Sequence, residues 1–476
     1  MRTPINVDRR RRVPLHRQIY DEWRKGILSG RFVPGDRMPS TRDLAVSLGV
    51  SRVTVTQAYE QLAAEGYLES RRGSGTFVSR DLPDVAPAGA TSHGRRRGAR
   101  GAVRLSRFVG RLGPVPARPP VPPGVLDLSA AGPDLEAFPA AVWARLVRRH
   151  LRRPVGARWR EGVEGAGFGP LREAVARYLR QSRAVVCDAS QVVIVSGSQQ
   201  ALDLCARVLV DPGDDVVVEE PGYPGARHLF AAAGARLRPV AVDDDGVRVA
   251  DLPPRSRLAY VTPSHQFPLG AALSLARRLD LLSWARTSGG VVIEDDYDSE
   301  FRYGAAPLPA LQGLDDGGRV VYVGTFSNAM FPGLRLGYVV PPPSLVEPFT
   351  RAKHFADHQT PVLEQAALAD FIAEGHLEQH IRRMRRRYLA RRVALLEALR
   401  HHFAGRVATV GDAAGLHVVA RFEVSGMARR ARDAGVRLAD TRAYYLGTAP
   451  PDEFMLRFSA MGERALREAV RRLAAA

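Results

Sequence analysis

Residues 39–79 read PSTRDLAVSLGVSRVTVTQAYEQLAAEGYLESRRGSGTFVS, and this run decides the fold of the first part of the chain. Ser40 is suited to cap a helix N-terminus, and Asp43 three residues on completes a capping-box pattern. The helix stops at Gly49. Ser51 caps the next one, whose Val55, Ala58, Tyr59 and Leu62 share an inward face, with Gly66 as its C-cap. Two short helices joined by a tight Gly49-Val50 turn form a helix-turn-helix. Upstream, Leu15, Ile19, Trp23 and Ile27 recur at helical spacing, and Ser29-Gly30 ends that helix. Downstream, Tyr67-Leu68-Glu69 and Thr76-Phe77-Val78 flank Arg71-Arg72-Gly73-Ser74-Gly75, a predicted hairpin with a glycine-rich basic tip.

Charge places a partner at this end. The 476-residue chain has 69 basic side chains and a net charge of +19, and only Lys25 and Lys353 are lysines. Residues 1–80 hold 15 basic and 8 acidic groups, and residues 81–125 hold 8 and 2. A GC-rich genome explains arginine over lysine, but not this clustering, which points to nucleic acid. A recognition helix enters the major groove by its N-terminal end, which here carries Ser51, Arg52, Thr54 and Thr56. Arg52 has the donors to read guanine or hold a phosphate, and Arg42 on the preceding helix is expected nearby. The bland alternative is a three-helix protein-interaction module with a solvated basic face. It leaves the caps, the charge and the wing as coincidences.

Residues 81–125 contain 8 Pro and 7 Gly, with Arg95-Arg96-Arg97 among them, and read as a linker. From about residue 126 the pattern becomes α/β. Runs at 192–195, 215–218, 258–261, 291–293 and 320–323 are short, apolar and β-branched, and helical stretches separate most of them. Strands buried on both faces imply a mostly parallel sheet. From about 346 the character is helical, then strands at 416–419 and 454–458 suggest a smaller α+β subdomain. Two cysteines, Cys187 and Cys205, are too few for a disulfide framework or a zinc site. No metal is expected. No run looks long and apolar enough for a membrane span, and a cytoplasmic location is expected.

Several signals then converge between 190 and 340. Ser196-Gly197-Ser198-Gln199-Gln200 follows a strand and opens a helix, a place for phosphate. Glu220-Pro221-Gly222-Tyr223-Pro224 puts an aromatic ring at another strand end. Ile293-Glu294-Asp295-Asp296-Tyr297 adds carboxylates and a phenol at a third, and Thr325-Phe326-Ser327 and Arg335 add hydroxyls and a cation. Each alone is ordinary sheet-edge polarity. Together they suit pyridoxal 5′-phosphate, since a carboxylate holds the protonated pyridine nitrogen and a phenol reaches the ring hydroxyl.

Both halves also resemble a known family. Residues 39–79 are similar to the winged helix-turn-helix of GntR-type regulators, which implies a double-stranded DNA operator contacted by Arg42, Ser51, Arg52, Thr54, Thr56 and Gly75. Residues 126–476 resemble a fold-type I aminotransferase of the kind fused behind a GntR module in MocR-like regulators. The stretches VSGSQQALDL, EEPGYPGAR, TPSHQFPLG, IEDDYDSEFRY and GTFSNAMFPGLRLGY carry that match. The resemblance implies that Asp295 pairs with the pyridine nitrogen, Tyr297 with the ring hydroxyl, and Tyr223 stacks on the ring. Ser198, Gln199, Ser327 and Arg335 would surround the phosphate, and Arg457 would take an effector carboxylate. His265 and Gln266 would lie near the ring. A homodimer responding to a small-molecule effector is implied as well.

One position departs from the pattern. In that family a lysine follows Gly-Thr-Phe-Ser and binds the cofactor as an imine. Here it is Asn328, which is neither a nucleophile nor a general base. Lys353, 25 positions on, is the only lysine after the first 80 residues. No catalytic residue is therefore expected. Asn328 fits a pseudo-enzyme that keeps the cofactor non-covalently, a pocket repurposed for another effector, or a substitution introduced to block the imine. The expected function is a DNA-binding regulator sensing pyridoxal phosphate or its amine adduct. The alternatives are an aminotransferase with an appended DNA module, and a regulator with an unrelated effector.

Overall fold

The computed structural model describes residues 5–11, 13–71, 74–82, 104–115, 119–152, 165–303, 309–411 and 413–476. Its contacts divide the chain into two compact units, Met1–Val103 and Arg104–Ala476. The division falls inside the Pro/Gly-rich segment, whose Arg95, Arg96 and Arg97 lie outside the described residues.

The first unit holds α1 (Leu15–Leu28), α2 (Thr41–Leu48), α3 (Arg52–Ala64) and the hairpin β1 (Leu68–Arg71) and β2 (Gly75–Val78). Ser40 Oγ accepts the Asp43 N–H at 3.1 Å and donates to the Asp43 carboxylate at 2.6 Å. Asp43 thus takes the cap's hydroxyl, where a reciprocal capping box would take its backbone N–H. Ser51 caps α3 by accepting the Thr54 N–H at 3.1 Å. At the other end Glu65 is the C-cap, and Gly66 follows it with φ +80°. Ile19, Trp23, Ile27, Val55, Tyr59, Leu62 and Val78 make one core, in which Trp23 lies against Phe32 with ring centroids 4.6 Å apart.

The second unit begins with α4 (Arg107–Arg111), β3 (Leu126–Asp127), α5 (Ala140–Leu151) and α6 (Gly169–Arg183). Next come β4 (Val193–Val195), α7 (Ser198–Leu209), β5 (Asp215–Glu220), α8 (Pro224–Ala233), β6 (Arg236–Asp243), β7 (Gly246–Val247), β8 (Leu258–Val261) and α9 (Leu275–Ser288). Then follow β9 (Val291–Asp296), β10 (Val320–Thr325), β11 (Gly337–Val340), α10 (Val346–Asp357), α11 (Val362–Ala373) and α12 (His376–Phe403). The chain closes with β12 (Val407–Val410), β13 (His417–Phe422), α13 (Met427–Asp433), β14 (Val436–Arg437), β15 (Ala439–Asp440), β16 (Glu453–Arg457) and α14 (Glu463–Ala475).

Eight strands form the large sheet in the order β4-β11-β10-β9-β8-β5-β6-β7. The run from β10 through β9, β8 and β5 to β6 is parallel, while β11 is antiparallel to both its neighbours. Successive residues face opposite layers, as pleating requires. Val216, Val218 and Ile293 join one core, and Val217, Ala259 and Val292 join the other. Register then aligns the strand ends: Thr325 pairs with Gly337, and Gly337 with Val195. A Cβ on Gly337 would stand 2.8 Å from the Gly324 carbonyl and 3.0 Å from Gly197 Cα, so only glycine allows this approach. The segments after Val195 and Thr325 therefore leave the sheet side by side.

The helical run after 345 does not all belong to the smaller layer. Helix α10 packs on α7, and α11 packs on α5 and α6, both beside the large sheet. The smaller layer is the antiparallel sheet β12-β13-β16-β15 with α12 and α14 against it. It recruits distant chain, because β3 pairs with β14 and Leu128 joins its core. Helix α4 packs on α8, so the later part of the Pro/Gly-rich segment is attached to this unit.

Candidate functional site

In the first unit, Ser51 and Arg52 are exposed and Thr54 and Thr56 half-buried at the start of α3. Arg52 Nε donates to Thr41 Oγ1 at 3.3 Å, across the helix-turn-helix. Arg42 is the next residue of α2 and is exposed. Gly75 opens β2, and Arg72 and Gly73 at the wing tip lie outside the described residues. Arg37 was not apparent from the sequence. It bridges to Phe77 of the wing, and its guanidinium would lie 3.4 Å from a Cβ on Gly75.

In the second unit, the parallel strands deliver their carboxyl ends to one edge, where open α/β sheets collect ligands. On β9, alternate carboxylates do different work. Glu294 accepts the backbone N–H groups of Leu311 and Gln312, each at 2.8 Å. Asp296 takes Arg183 at 2.8 Å and the Tyr322 hydroxyl at 2.6 Å. These two are structural. Asp295 faces the other way and is 5% exposed. Its Oδ2 accepts from the Tyr260 hydroxyl at 2.7 Å, and its Oδ1 has no hydrogen-bond partner among the described residues. Burial pushes its pKa up to about 7, with Asp296 and Asp298 adding to the rise.

Tyr297 follows on the same strand end. Its hydroxyl lies 2.9 Å from His265 Nδ1, which the Asp298 carboxylate also approaches at 2.9 Å. Burial holds the Tyr297 phenol well above its usual range, while Arg457 pulls the other way. Arg457 ends β16, opposite His417 in register. Burial keeps His417 well below its usual pKa, and its Nε2 lies 2.9 Å from the Pro268 carbonyl. Gln266 is a brace: its amide donates to the carbonyls of Pro221 at 2.8 Å and Phe267 at 2.7 Å.

Ser198 and Gln199 begin α7, whose N-cap Gly197 has φ +86°. A Cβ on Gly197 would meet the Arg335 guanidinium at 3.0 Å, and Arg335 also donates to the Ser196 carbonyl at 2.6 Å. A helix N-terminus and a guanidinium thus converge where a phosphate is favoured. The Tyr223 hydroxyl donates to Gln199 at 3.1 Å, and its ring meets Phe267 edge-on at 5.7 Å. Ser327 Oγ accepts from the Thr325 hydroxyl at 3.0 Å. Asn328, the next residue, donates from its side-chain amide to the Tyr297 carbonyl at 2.9 Å. Tyr260, Phe267, Asp298 and His417 also stand at this site, and sequence reasoning did not single them out. Tyr260 sat inside an apolar strand run, where its hydroxyl carried no visible signal.

These residues fit pyridoxal phosphate by their donor set. Asp295 Oδ1, buried and without a partner among the described residues, is the kind of acceptor a protonated ring nitrogen needs, and the Arg335 guanidinium beside the N-terminus of α7 is the kind of donor set a phosphate needs.

A winged helix-turn-helix followed by an aminotransferase fold defines a regulator built on an enzyme scaffold. Residues 15–78 match the family model for bacterial regulatory proteins of the gntR family, and residues 134–473 match aminotransferase class I and II. The chain is 41% identical to "Probable rhizopine catabolism regulatory protein MocR" of Rhizobium meliloti, over 99% of this chain and 95% of that one. It is 36% identical to the HTH-type transcriptional regulator TauR of Rhodobacter capsulatus, over 95% and 94%. The crystal structure of LysN, an alpha-aminoadipate aminotransferase from Thermus thermophilus complexed with N-(5'-phosphopyridoxyl)-L-leucine, superposes with a TM-score of 0.69. That match has 29% identity and covers 78% of this chain and 96% of LysN. The chain belongs to the MocR-type GntR regulators and is a DNA-binding transcriptional regulator. Among the described residues no helix is long and apolar enough to cross a membrane.

Proposed function

We propose that the second unit is a receptor for pyridoxal 5′-phosphate, or for its adduct with an amine, held without a covalent bond. The observation that carries this reading is the buried, unpartnered Asp295 Oδ1 at a strand end where residue 328 offers no amine. Asp295 holds the protonated pyridine nitrogen and Tyr297 the ring hydroxyl. Tyr223 covers the ring face. Ser198, Gln199, Ser327 and Arg335 hold the phosphate, and Arg457 takes an effector carboxylate. When bound, the cofactor supplies an electron-withdrawing ring and an amine-reactive aldehyde. Asn328 cannot move the protons that transamination requires, so the chain retains binding without turnover.

Occupancy biases the regulator between two states on DNA, which requires the ligand to favour one of them. As a cytoplasmic homodimer the protein presents two winged helices to two half-sites. The enzyme alternative needs a free amine. Lys353 is buried on α10, with its amine paired to Asp357.

The test is a calorimetric titration of the chain with pyridoxal phosphate, followed by dialysis. Saturable binding reversed by dialysis is expected. Absence of heat in both this chain and an Asn328→Lys variant would sink the cofactor assignment and favour an unrelated effector.

A further inference from the structure

Residues 5–11, ahead of α1, are built into the winged-helix unit. Ile5 is 2% exposed, and Val7 packs against the same core. Asp8 and Gln18 pair reciprocally: the Asp8 N–H reaches Gln18 Oε1 at 2.9 Å, and Gln18 Nε2 reaches the Asp8 carbonyl at 3.0 Å. The same amide donates to the Val13 carbonyl at 2.7 Å, so one buried glutamine clamps both ends of the segment. The Arg11 N–H closes a turn on the Asp8 carbonyl at 3.3 Å, and the Arg10 N–H caps onto the Asp8 carboxylate at 2.9 Å.

This clamped turn displays Arg9, Arg10 and Arg11, all exposed. The Arg9 guanidinium donates to the Gly49 carbonyl, in the turn between α2 and α3. Arg9 and Arg11 on one side, with Gly49, Val50 and Ser51 on the other, line a shallow cleft at the N-terminus of the recognition helix. Asp8 is the acid that meets them, at 3.8 Å from Arg11 Nε, and its carboxylate also serves the Arg10 N–H. The balance of charge at the cleft remains positive.

We infer that Arg9, Arg10 and Arg11 form a prebuilt phosphate-contacting arm, which grips the DNA backbone beside the groove entered by α3. The inference rests on the DNA-binding reading of this unit. Two arguments select the DNA backbone as occupant. The cleft reaches Ser51 at the N-terminus of α3, and three exposed arginines on one turn match phosphates in charge, with guanidinium forks suited to phosphate oxygens. A clamped arm also loses little conformational entropy on binding, unlike a free basic tail.

The experiment uses the full chain and a duplex of random sequence, followed by fluorescence anisotropy across a salt series. The triple variant R9Q/R10Q/R11Q is expected to bind roughly tenfold more weakly or worse, with the log–log salt slope reduced by about 2–3, near 0.9 per lost contact. The triple lysine variant R9K/R10K/R11K keeps most of the slope, because charge is conserved. Unchanged melting temperatures show that the unit stays folded. A glutamine variant with the parental slope overturns the arm while leaving DNA binding intact. A parent chain with no salt-dependent binding overturns both.

Discussion

The Asn328 side-chain amide donates to the backbone carbonyl of Tyr297 at 2.9 Å, tying the end of β10 to the end of β9. The two strands are parallel neighbours, paired as far as Gly324 and Asp296. Position 328 is therefore filled by a group with a structural partner inside the pocket. Replacing Asn328 by lysine places an amine at that strand end. The Asn328→Lys variant is expected to gain the visible absorbance of a covalently held cofactor and a borohydride-stable label at residue 328. The parent chain, mixed with the same cofactor, gains neither. A labelled parent would defeat the non-covalent reading.

Asp295 gives a pH signature. Burial pushes its pKa up to about 7, above the ordinary 3.8, so between these values the folded protein holds a proton that the unfolded chain releases. Stability is unaffected below both values and falls as pH rises from about 4 to about 7. Asp295→Asn removes that penalty. The variant's melting temperature should exceed the parent's at pH 8 and match it near pH 4, a difference on the order of 1–4 kcal/mol at most. The same variant should bind pyridoxal phosphate at least roughly tenfold more weakly, since an amide cannot balance a pyridinium charge. Equal affinity in calorimetry would remove Asp295 from the ring-nitrogen role.

Lys353 should be irrelevant to the ligand. Its partner Asp357 also accepts from Gln200 at 2.8 Å, and Gln200 accepts the Ser196 N–H at 2.8 Å, so the amine sits behind the cradle. Burial holds its pKa below the usual lysine value. A Lys353→Met variant should bind the cofactor with the parent's affinity. Peptide mapping after borohydride treatment that finds the label on Lys353 would reinstate the enzyme reading.

The recognition helix separates stability from readout. Ser51→Ala removes the α3 cap and should cost about 1 kcal/mol of unfolding free energy in the first unit. Arg52→Ala should leave its melting unchanged, yet lose about 1–3 kcal/mol of discrimination between operator and random duplex. Competition binding at fixed salt measures this. An Arg52→Ala protein with intact discrimination would place sequence reading elsewhere on the unit.

Local chemistry was legible wherever it depends on near neighbours. Ser40, Ser51 and Gly49 mark helix ends within four residues of the groups they serve, so the helix-turn-helix could be read directly. The strands at 258–261, 291–296 and 320–325 showed in the sequence as short apolar runs at 258–261, 291–293 and 320–323. Strand β6, Arg236–Asp243, did not, because most of its residues are exposed or half-buried, with only Val240 buried, and it contains Pro239. Strand β11 escaped for another reason. Its place between β4 and β10 follows from a close approach at Gly337 that no short window contains.

By itself the sequence determined that a capped, basic winged helix precedes a parallel α/β unit, and that residue 328 is an amide. Those properties follow from periodicity, capping and side-chain chemistry. Tertiary structure decided which of three neighbouring carboxylates is free. Glu294 and Asp296 are spent on Leu311, Gln312, Arg183 and Tyr322, and Asp295 keeps an open oxygen. It also clamped the turn that carries Arg9, Arg10 and Arg11, through Gln18 ten residues away from Asp8. The reason is common to both cases: a polar group's role depends on which partners it lacks, and those partners arrive from distant chain only when the fold closes.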